Sequence, residues 1–175
     1  MSLAWLSFLL MPAVQSGLFV STSYFDTQSL VRSAASMADK LGVEFALFHK
    51  ERRKASEVSR MVLVGNVFSK IAILVDDMAD TCGTLFNASV RLKEAGASAV
   101  AAIVTHGILS DNAMEKLAQS ELDKLIVTNT IPPIVHQTCG QQKIEVIDIG
   151  YLLGEVIRRS HHGESVSLLF DEVPF

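Results

Sequence analysis

The sequence has few cysteines, little net charge and no internal repeat. Its two cysteines, Cys82 and Cys139, form neither a disulfide framework nor a metal-ligand pattern, and such usage is typical of a reducing compartment. The formal net charge of -4 at pH 7 does not support nucleic-acid binding. No low-complexity linker divides the 175 residues, which suffice for one domain with a core but not for two full-size domains.

A long hydrophobic run is missing as well. The most apolar stretch, Leu3–Val14, is too short to span a bilayer. It also lacks the basic residues that open a signal peptide, although Gln15–Gly17 offers a weak cleavage signal. We therefore interpret residues 1–28 as a hydrophobic leader of a cytoplasmic protein that does not bind a membrane.

From about residue 27, apolar strands alternate with amphipathic helices, which favours a parallel sheet covered on both faces. The predicted fold is therefore an α/β three-layer sandwich with a mainly parallel sheet. The run 49–60 is basic and has no apolar face, so it is predicted to be an exposed loop. Helices are predicted at 29–42, 84–96, 110–120 (capped by Ser110 or Asp111) and 148–163, and strands at 44–49, 61–65, 70–75, 99–107, 123–130 and 143–149.

The stretch ILVDDMADTCGT, residues 73–84, carries the chemistry. It lies where a strand ends, the edge at which open α/β sheets bind ligands. Backbone amides of Asp80–Thr84 at a helix start favour a phosphate, and Gly83 lets the backbone approach it closely. Asp76 and Asp77 suit sugar hydroxyls or Mg²⁺. The stretch predicts a sugar-phosphate site; the plainer alternative is a strand followed by an Asp-rich helix start.

The segment VDDMADTCGT resembles the phosphoribosyl-pyrophosphate loop of the type I phosphoribosyltransferase superfamily. Other segments are similar to one family within it, the ribose-phosphate pyrophosphokinases. These segments are FALFHKERRKASEVSRMVLVGNV, VTHGILS, VTNTIP, EVIRRSHHGESVSLLF and the terminal VPF. The resemblance runs from about Ser33 to Phe175, and it implies that residues 29–175 form a domain with the phosphoribosyltransferase-like fold.

The resemblance assigns roles to the stretch 76–84. It implies that Asp76 and Asp77 hold the ribose hydroxyls of ribose 5-phosphate, with Mg²⁺ reached through the substrate. It also implies that the 5-phosphate is cradled by the residues Asp80, Thr81, Cys82, Gly83 and Thr84. A nucleophilic role for Cys82 is not expected, because no histidine lies near it in sequence.

Further roles follow from the resemblance outside this stretch. Lys50 and Arg52 match catalytic cations for the transfer of a diphosphoryl group from ATP, although by themselves they read as a solvated loop. Ser165 and Ser167 match a region that binds regulatory phosphate or ADP between subunits. Judged from the residues alone, a terminal strand with outward serines is equally good. His106 is assigned a structural role.

The departures from the family set further expectations. Its members are about twice as long, and their N-terminal domain supplies the ATP site and a metal-binding histidine. A turn resembling SPDAGG is replaced here by FVSTSYFDTQSL, where Asp26 is no convincing match. We expect a truncated gene product with a foreign leader, inactive alone and able to join other synthetase subunits. The alternatives are a non-catalytic regulatory subunit and a phosphoribosyltransferase, although no segment here suggests the hood that the latter needs.

Overall fold

Seven strands form one sheet in the computed structural model, which describes residues 18–22, 35–36, 38–39, 42–51, 60–132 and 140–170. The spatial order is β3-β2-β1-β4-β5-β6-β7. The β2–β3 pair is antiparallel, and every other neighbouring pair is parallel. The strands are β1 (Leu18–Thr22), β2 (Glu44–Glu51), β3 (Arg60–Val64), β4 (Ile71–Ala79), β5 (Ala99–Gly107), β6 (Lys124–Thr128) and β7 (Ile144–Ile147).

Three helices of the described chain follow strands. They are α1 (Gly83–Glu94), α2 (Ala113–Gln119) and α3 (Gly150–His162), with 3-10 turns at Gln141–Lys143 and Ser167–Phe170. Residues 35–36 and 38–39 are also helical. Among the described helices, none is both long enough and apolar enough to cross a membrane.

The core lies on both faces of the sheet because side chains alternate along each strand. On one face Leu74 of β4 packs with Leu85 of α1 and Leu117 of α2. On the other face Ile73 of β4 packs with Ile103 of β5 and with Ala38 of the early helical segment. The predicted three-layer α/β sandwich with a mainly parallel sheet is confirmed.

Strand β1 lies within the range that the sequence assigned to the leader. Its backbone pairs with β2 on one side and with β4 on the other, so Leu18–Thr22 belongs to the interior of the sheet. Family resemblance gave no match in this range, and the short run LFVST carries a weak pattern of its own. The boundary at residue 28 stays a prediction for the rest of the leader, which lies outside the described residues.

Three local expectations were wrong. The predicted loop 49–60 is partly strand, since Lys50 pairs with Met61 and Glu51 with Arg60. Hydrogen bonds to an antiparallel partner satisfy the backbone groups of these residues, whatever side chains they carry. Ser167–Phe170 is a 3-10 turn, so the alternative of a terminal strand fails. Helix α2 begins at Ala113 with Asn112 at its N-cap, and the hydroxyl of Ser110 bonds Asp80 instead of the helix.

Candidate functional site at the carboxyl edge of the sheet

The carboxyl ends of β4 to β7 meet at one edge, because these strands are parallel neighbours. Near its end β4 carries Asp76 and Asp77, and Met78 lies opposite His106 of β5. Asp148 follows β7 at the same edge. The two acids that the sequence singled out therefore lie where open α/β sheets bind their ligands. Asp76 is half-buried, and Asp77 is exposed.

The 80–84 segment (Asp80–Thr84) turns the chain from β4 into α1. Cys82 is the N-cap in a left-handed conformation with φ 58°, and it gives the helix no side-chain cap. The amide of Phe86 makes the helical bond to the Cys82 carbonyl at 3.0 Å. The earlier amides of a helix have no partner within the helix and suit an anion. In the segment, only Cys82 is fully buried.

Gly83 is the first residue of α1, and the space beside it is open. A Cβ added at Gly83 would meet nothing within 4 Å, and the residue needs no left-handed backbone. Nothing in the described chain therefore requires glycine here. A ligand that approaches the backbone at this position would require it.

A neighbouring loop holds the residues that enter the 80–84 segment. The carbonyl of Ala79 accepts hydrogen bonds from the amides of Ile108 and Leu109, at 2.9 and 3.0 Å. The hydroxyl of Ser110 donates to Oδ1 of Asp80. The β5–α2 connection thus contacts both backbone and side chain at the start of the segment. Sequence reasoning missed Ser110 here, since a serine before a helix ordinarily indicates a cap.

The thiol of Cys82 is protonated at neutral pH. Its pKa is raised to about 11, first by burial and second by the negative charge of Asp80, while Lys116 opposes both. A helix start ordinarily lowers a thiol pKa, so burial outweighs the helix dipole at this residue. The segment therefore offers its backbone, and not a thiolate, to a ligand.

His106 joins the ends of β5 and β6. Its Nδ1 lies 2.8 Å from the hydroxyl of Thr130, which also donates to the carbonyl of Thr105 at 3.1 Å. The hydroxyl of Thr128 donates to the same carbonyl at 2.7 Å. These contacts support the structural role expected for His106.

The start of α3 is closed by the chain itself. Oδ1 of Asp148 accepts hydrogen bonds from the amide of Gly150 and from Nδ2 of Asn129, each at 2.7 Å. Oδ1 of Asn129 accepts one from the amide of Ile149 at 3.1 Å. The Gly150 amide first, and Asn129 second, hold the pKa of Asp148 below its usual value. An aspartate two residues before a helix start signals such a turn.

The remaining predicted residues lie apart from this stretch of sequence. The backbone of Lys50 belongs to β2, and Arg52 lies outside the described residues. Ser165 follows α3, where its carbonyl accepts a bond from Arg159 at 3.0 Å and its hydroxyl one from the Ser167 amide at 3.2 Å. Their catalytic and regulatory roles stay predictions.

A metal site made by the protein alone is not found. Within the described ranges, no group of three or more His, Cys, Asp or Glu side chains is placed to hold a metal ion. Asp76 and Asp77 supply two carboxylates, and Mg²⁺ characteristically uses one or two carboxylates together with substrate phosphates. The residues present fit a Mg²⁺ ion that is shared with a substrate.

The fold belongs to the class of type I phosphoribosyltransferase-like proteins. The APRTase of Giardia lamblia, at 19% identity, aligns with a TM-score of 0.52 over 71% of this chain and 75% of its own, and this likeness shows the fold alone. The model of the phosphoribosyl synthetase-associated domain family matches residues 53–171. The chain belongs to that family, and the resemblance read from the sequence is confirmed.

Longer relatives match most of the chain. Ribose-phosphate pyrophosphokinase 2 of Schizosaccharomyces pombe is 60% identical over 143 residues, which are 82% of this chain and 44% of that protein. Ribose-phosphate pyrophosphokinase A of Dictyostelium discoideum is 52% identical over 142 residues, 81% of this chain and 44% of that protein. The phosphoribosylpyrophosphate synthetase structure from Mycobacterium smegmatis has 33% identity and a TM-score of 0.76, over 91% of this chain and 50% of its own. The chain spans less than half the length of the two curated relatives.

Proposed function

We propose that the chain supplies the ribose 5-phosphate-binding part of a ribose-phosphate diphosphokinase. That enzyme moves a diphosphoryl group from ATP to the C1 hydroxyl of ribose 5-phosphate, which gives phosphoribosyl pyrophosphate for nucleotide biosynthesis and AMP. The observation that carries the proposal is the open first turn of α1, which begins at Gly83, six residues after Asp77 and seven after Asp76. The names of the two curated relatives support this reaction.

Different groups bind the two ends of ribose 5-phosphate. Amides of the 80–84 segment receive the 5-phosphate, with the hydroxyls of Thr81 and Thr84 as further donors. Asp76 and Asp77 accept hydrogen bonds from ribose hydroxyls and so orient the ring. Fixing both ends of the sugar holds its C1 hydroxyl in one place, which removes much of the entropic barrier to transfer.

Charge develops between the attacking oxygen and the departing AMP, and cations stabilise it. We assign this role to Lys50 and Arg52. Mg²⁺, held by Asp76 or Asp77 together with the substrate, would neutralise phosphate charge when bound. We further propose ATP as co-substrate, other synthetase subunits as partners, phosphate or ADP near Ser165 and Ser167, and a cytoplasmic location.

Calorimetric titration with ribose 5-phosphate, with and without Mg²⁺, tests the binding role. The purified chain should bind saturably, and the variant Asp76→Ala/Asp77→Ala should not. A matched control, Glu115→Ala/Glu121→Ala, removes the same charge from exposed acids on and after α2 and should bind as the wild type does. Failure of a folded wild-type chain to bind would overturn the proposal.

A chimera tests the reaction. The segment of the Schizosaccharomyces pombe relative that matches this chain is replaced by the chain's own residues, and AMP formation from ATP and ribose 5-phosphate is followed. An active chimera that Asp76→Ala/Asp77→Ala inactivates supports the diphosphokinase role. A folded but inactive chimera would contradict it, and a change in activity of the intact relative on adding the chain would favour a regulatory subunit.

A further inference from the structure

We propose that Ser110 is a positioning residue that keeps the start of α1 open for a phosphate. Its hydroxyl holds the carboxylate of Asp80, which otherwise would cap the first amides of α1 and compete with the ligand. The inference rests on the proposed function and adds a residue from another strand–helix connection to the same site.

The contacts around Ser110 tie two loops together. The Ser110 hydroxyl donates to Oδ1 of Asp80, while the amides of Ile108 and Leu109 donate to the carbonyl of Ala79. Ser110 is half-buried, and Leu109 beside it is buried at 5% exposure. The residues that precede Ser110 and Asp80 are therefore bonded to each other, and this fixes the backbone that carries both side chains.

The backbone conformation indicates that this arrangement is enforced. Leu109 and Asp111, on either side of Ser110, have φ values of 52° and 54°, and Cys82 has φ 58°. Left-handed backbone costs a side-chain-bearing residue about 1–2 kcal/mol. Such conformations persist where surrounding contacts hold them, and they are frequent at functional sites.

The start of α3 shows that an aspartate at this edge bonds a helix-start amide, with Asn129 donating to the same carboxylate oxygen. Asp148, two residues before the first residue of α3, bonds the amide of Gly150 at 2.7 Å. Asp80 stands three residues before Gly83 and is exposed, so its short side chain is also within reach of the local amides. Because Asp80 bonds Ser110 instead, no side chain among the described residues caps the helix start.

The test compares binding of ribose 5-phosphate by five variants. Ser110→Ala frees Asp80, and we expect its affinity to fall about fivefold. Ser110→Thr keeps the hydroxyl and should bind like the wild type. Asp80→Ala and Ser110→Ala/Asp80→Ala complete a double-mutant cycle: once the carboxylate is gone, Ser110→Ala should cost little further affinity relative to Asp80→Ala alone. Ser98→Ala, an exposed serine at the opposite end of β5, is the matched control.

A second readout separates positioning from loss of structure. If Asp80 caps α1 in Ser110→Ala, the amides of Cys82 to Leu85 should exchange hydrogen more slowly than in the wild type, and the melting temperature should not fall. A merely structural role predicts faster exchange and a lower melting temperature.

The outcomes are distinct. Wild-type affinity in Ser110→Ala, or a loss from Ser110→Ala that is equally large in the Asp80→Ala background, would overturn the inference and leave the proposed function intact. If the wild-type chain itself binds no ribose 5-phosphate, the proposed function fails. Hydrogen exchange then still decides the inference, because unchanged or faster exchange in Ser110→Ala would overturn it.

Discussion

The helices α1 and α3 begin at the same edge of the sheet, and both begin with glycine, but they differ in whether a side chain bonds their first amides. At α3 the carboxylate of Asp148 bonds the amide of Gly150. At α1 the N-cap residue Cys82 makes no side-chain cap bond, no other side chain of the described residues supplies one, and the space beside Gly83 is open. Both starts present amides that favour a negative charge. The chain supplies that charge itself at α3, whereas at α1 we propose that a ligand supplies it.

The comparison shows that a helix start predicts an anion site only when the chain does not fill it. Both helices follow strands of one parallel sheet, so position in the fold does not separate them. The direction of one aspartate separates them. Asp148 turns to the helix that follows it, whereas Asp80 turns to Ser110.

The largest effect on binding is expected from Gly83→Ala. A Cβ here would meet no neighbouring heavy atom within 4 Å in the part of the chain that the structure describes, but it would occupy the space beside the first amide of α1. We expect the dissociation constant for ribose 5-phosphate to rise at least about tenfold, or ~1.4 kcal/mol, with unchanged stability. Calorimetry and thermal unfolding measure both, and Gly154→Ala in α3, equally free of contacts, is the control. Normal binding by Gly83→Ala would place the phosphate elsewhere.

The matched substitution at the other helix, Gly150→Ala, should act on stability and not on binding. Its Cβ would lie 3.0 Å from Oδ1 of Asp148, which must move and weaken its bond to the helix start. We expect a loss of about 1 kcal/mol in the free energy of unfolding, measured by denaturant titration. A loss of ribose 5-phosphate affinity instead would mean that the two helix starts act together.

A smaller effect is expected from Asp148→Asn, and it depends on pH. The pKa of Asp148 lies below its usual value of 3.8 in the folded chain. Its carboxylate therefore stabilises the fold above that usual value, and the contribution is lost as the pH falls through the folded pKa. The melting temperature of the wild type should exceed that of the variant above about pH 5, and the gap should narrow toward pH 2.

Other carboxylates also lose their contribution to stability as the pH falls. The melting temperature of Asp148→Asn is therefore subtracted from that of the wild type at each pH, so that their effects cancel. Bonds to Arg158 first, and to Arg159, lower the pKa of Glu155 to about 2, and Arg158 also lowers that of Glu164. These groups lose their contribution in both proteins as the pH falls. A gap between wild type and Asp148→Asn that stays constant down to pH 2 would contradict the assigned role of Asp148.

The sequence predicts most of the fold because its strands are apolar on both faces. Residues 71–75 and 99–104 read as buried strands, and the acids that follow the first of them, Asp76 and Asp77, locate the carboxyl edge. Strand β1 was missed since Leu18–Thr22 gains its place from pairing with β2 and β4, which a five-residue run does not reveal. The strand ends at Lys50 and Arg60 were missed for the same reason.

The candidate site was predictable only where its residues are contiguous. The run from Asp76 to Thr84 is local, so its order alone indicates a phosphate site. The contact of Ser110 with Asp80 joins residues 30 positions apart, and a serine before a helix has a more common explanation. The filled start of α3 was likewise missed, because the bond from Asn129 to Asp148 spans 19 positions.

The smallest change in binding is expected from Cys82→Ser, although Cys82 lies inside the 80–84 segment. Its side chain is only 5% exposed and its thiol, with a pKa of about 11, carries no charge at neutral pH. Under the proposed function only its backbone faces the ligand, and the substitution leaves that backbone unchanged. Calorimetry should give a dissociation constant for ribose 5-phosphate within about twofold of the wild type. A tenfold loss in a folded variant would show that the thiol contacts the ligand, and the open start of α1 would then not account for binding by its amides alone.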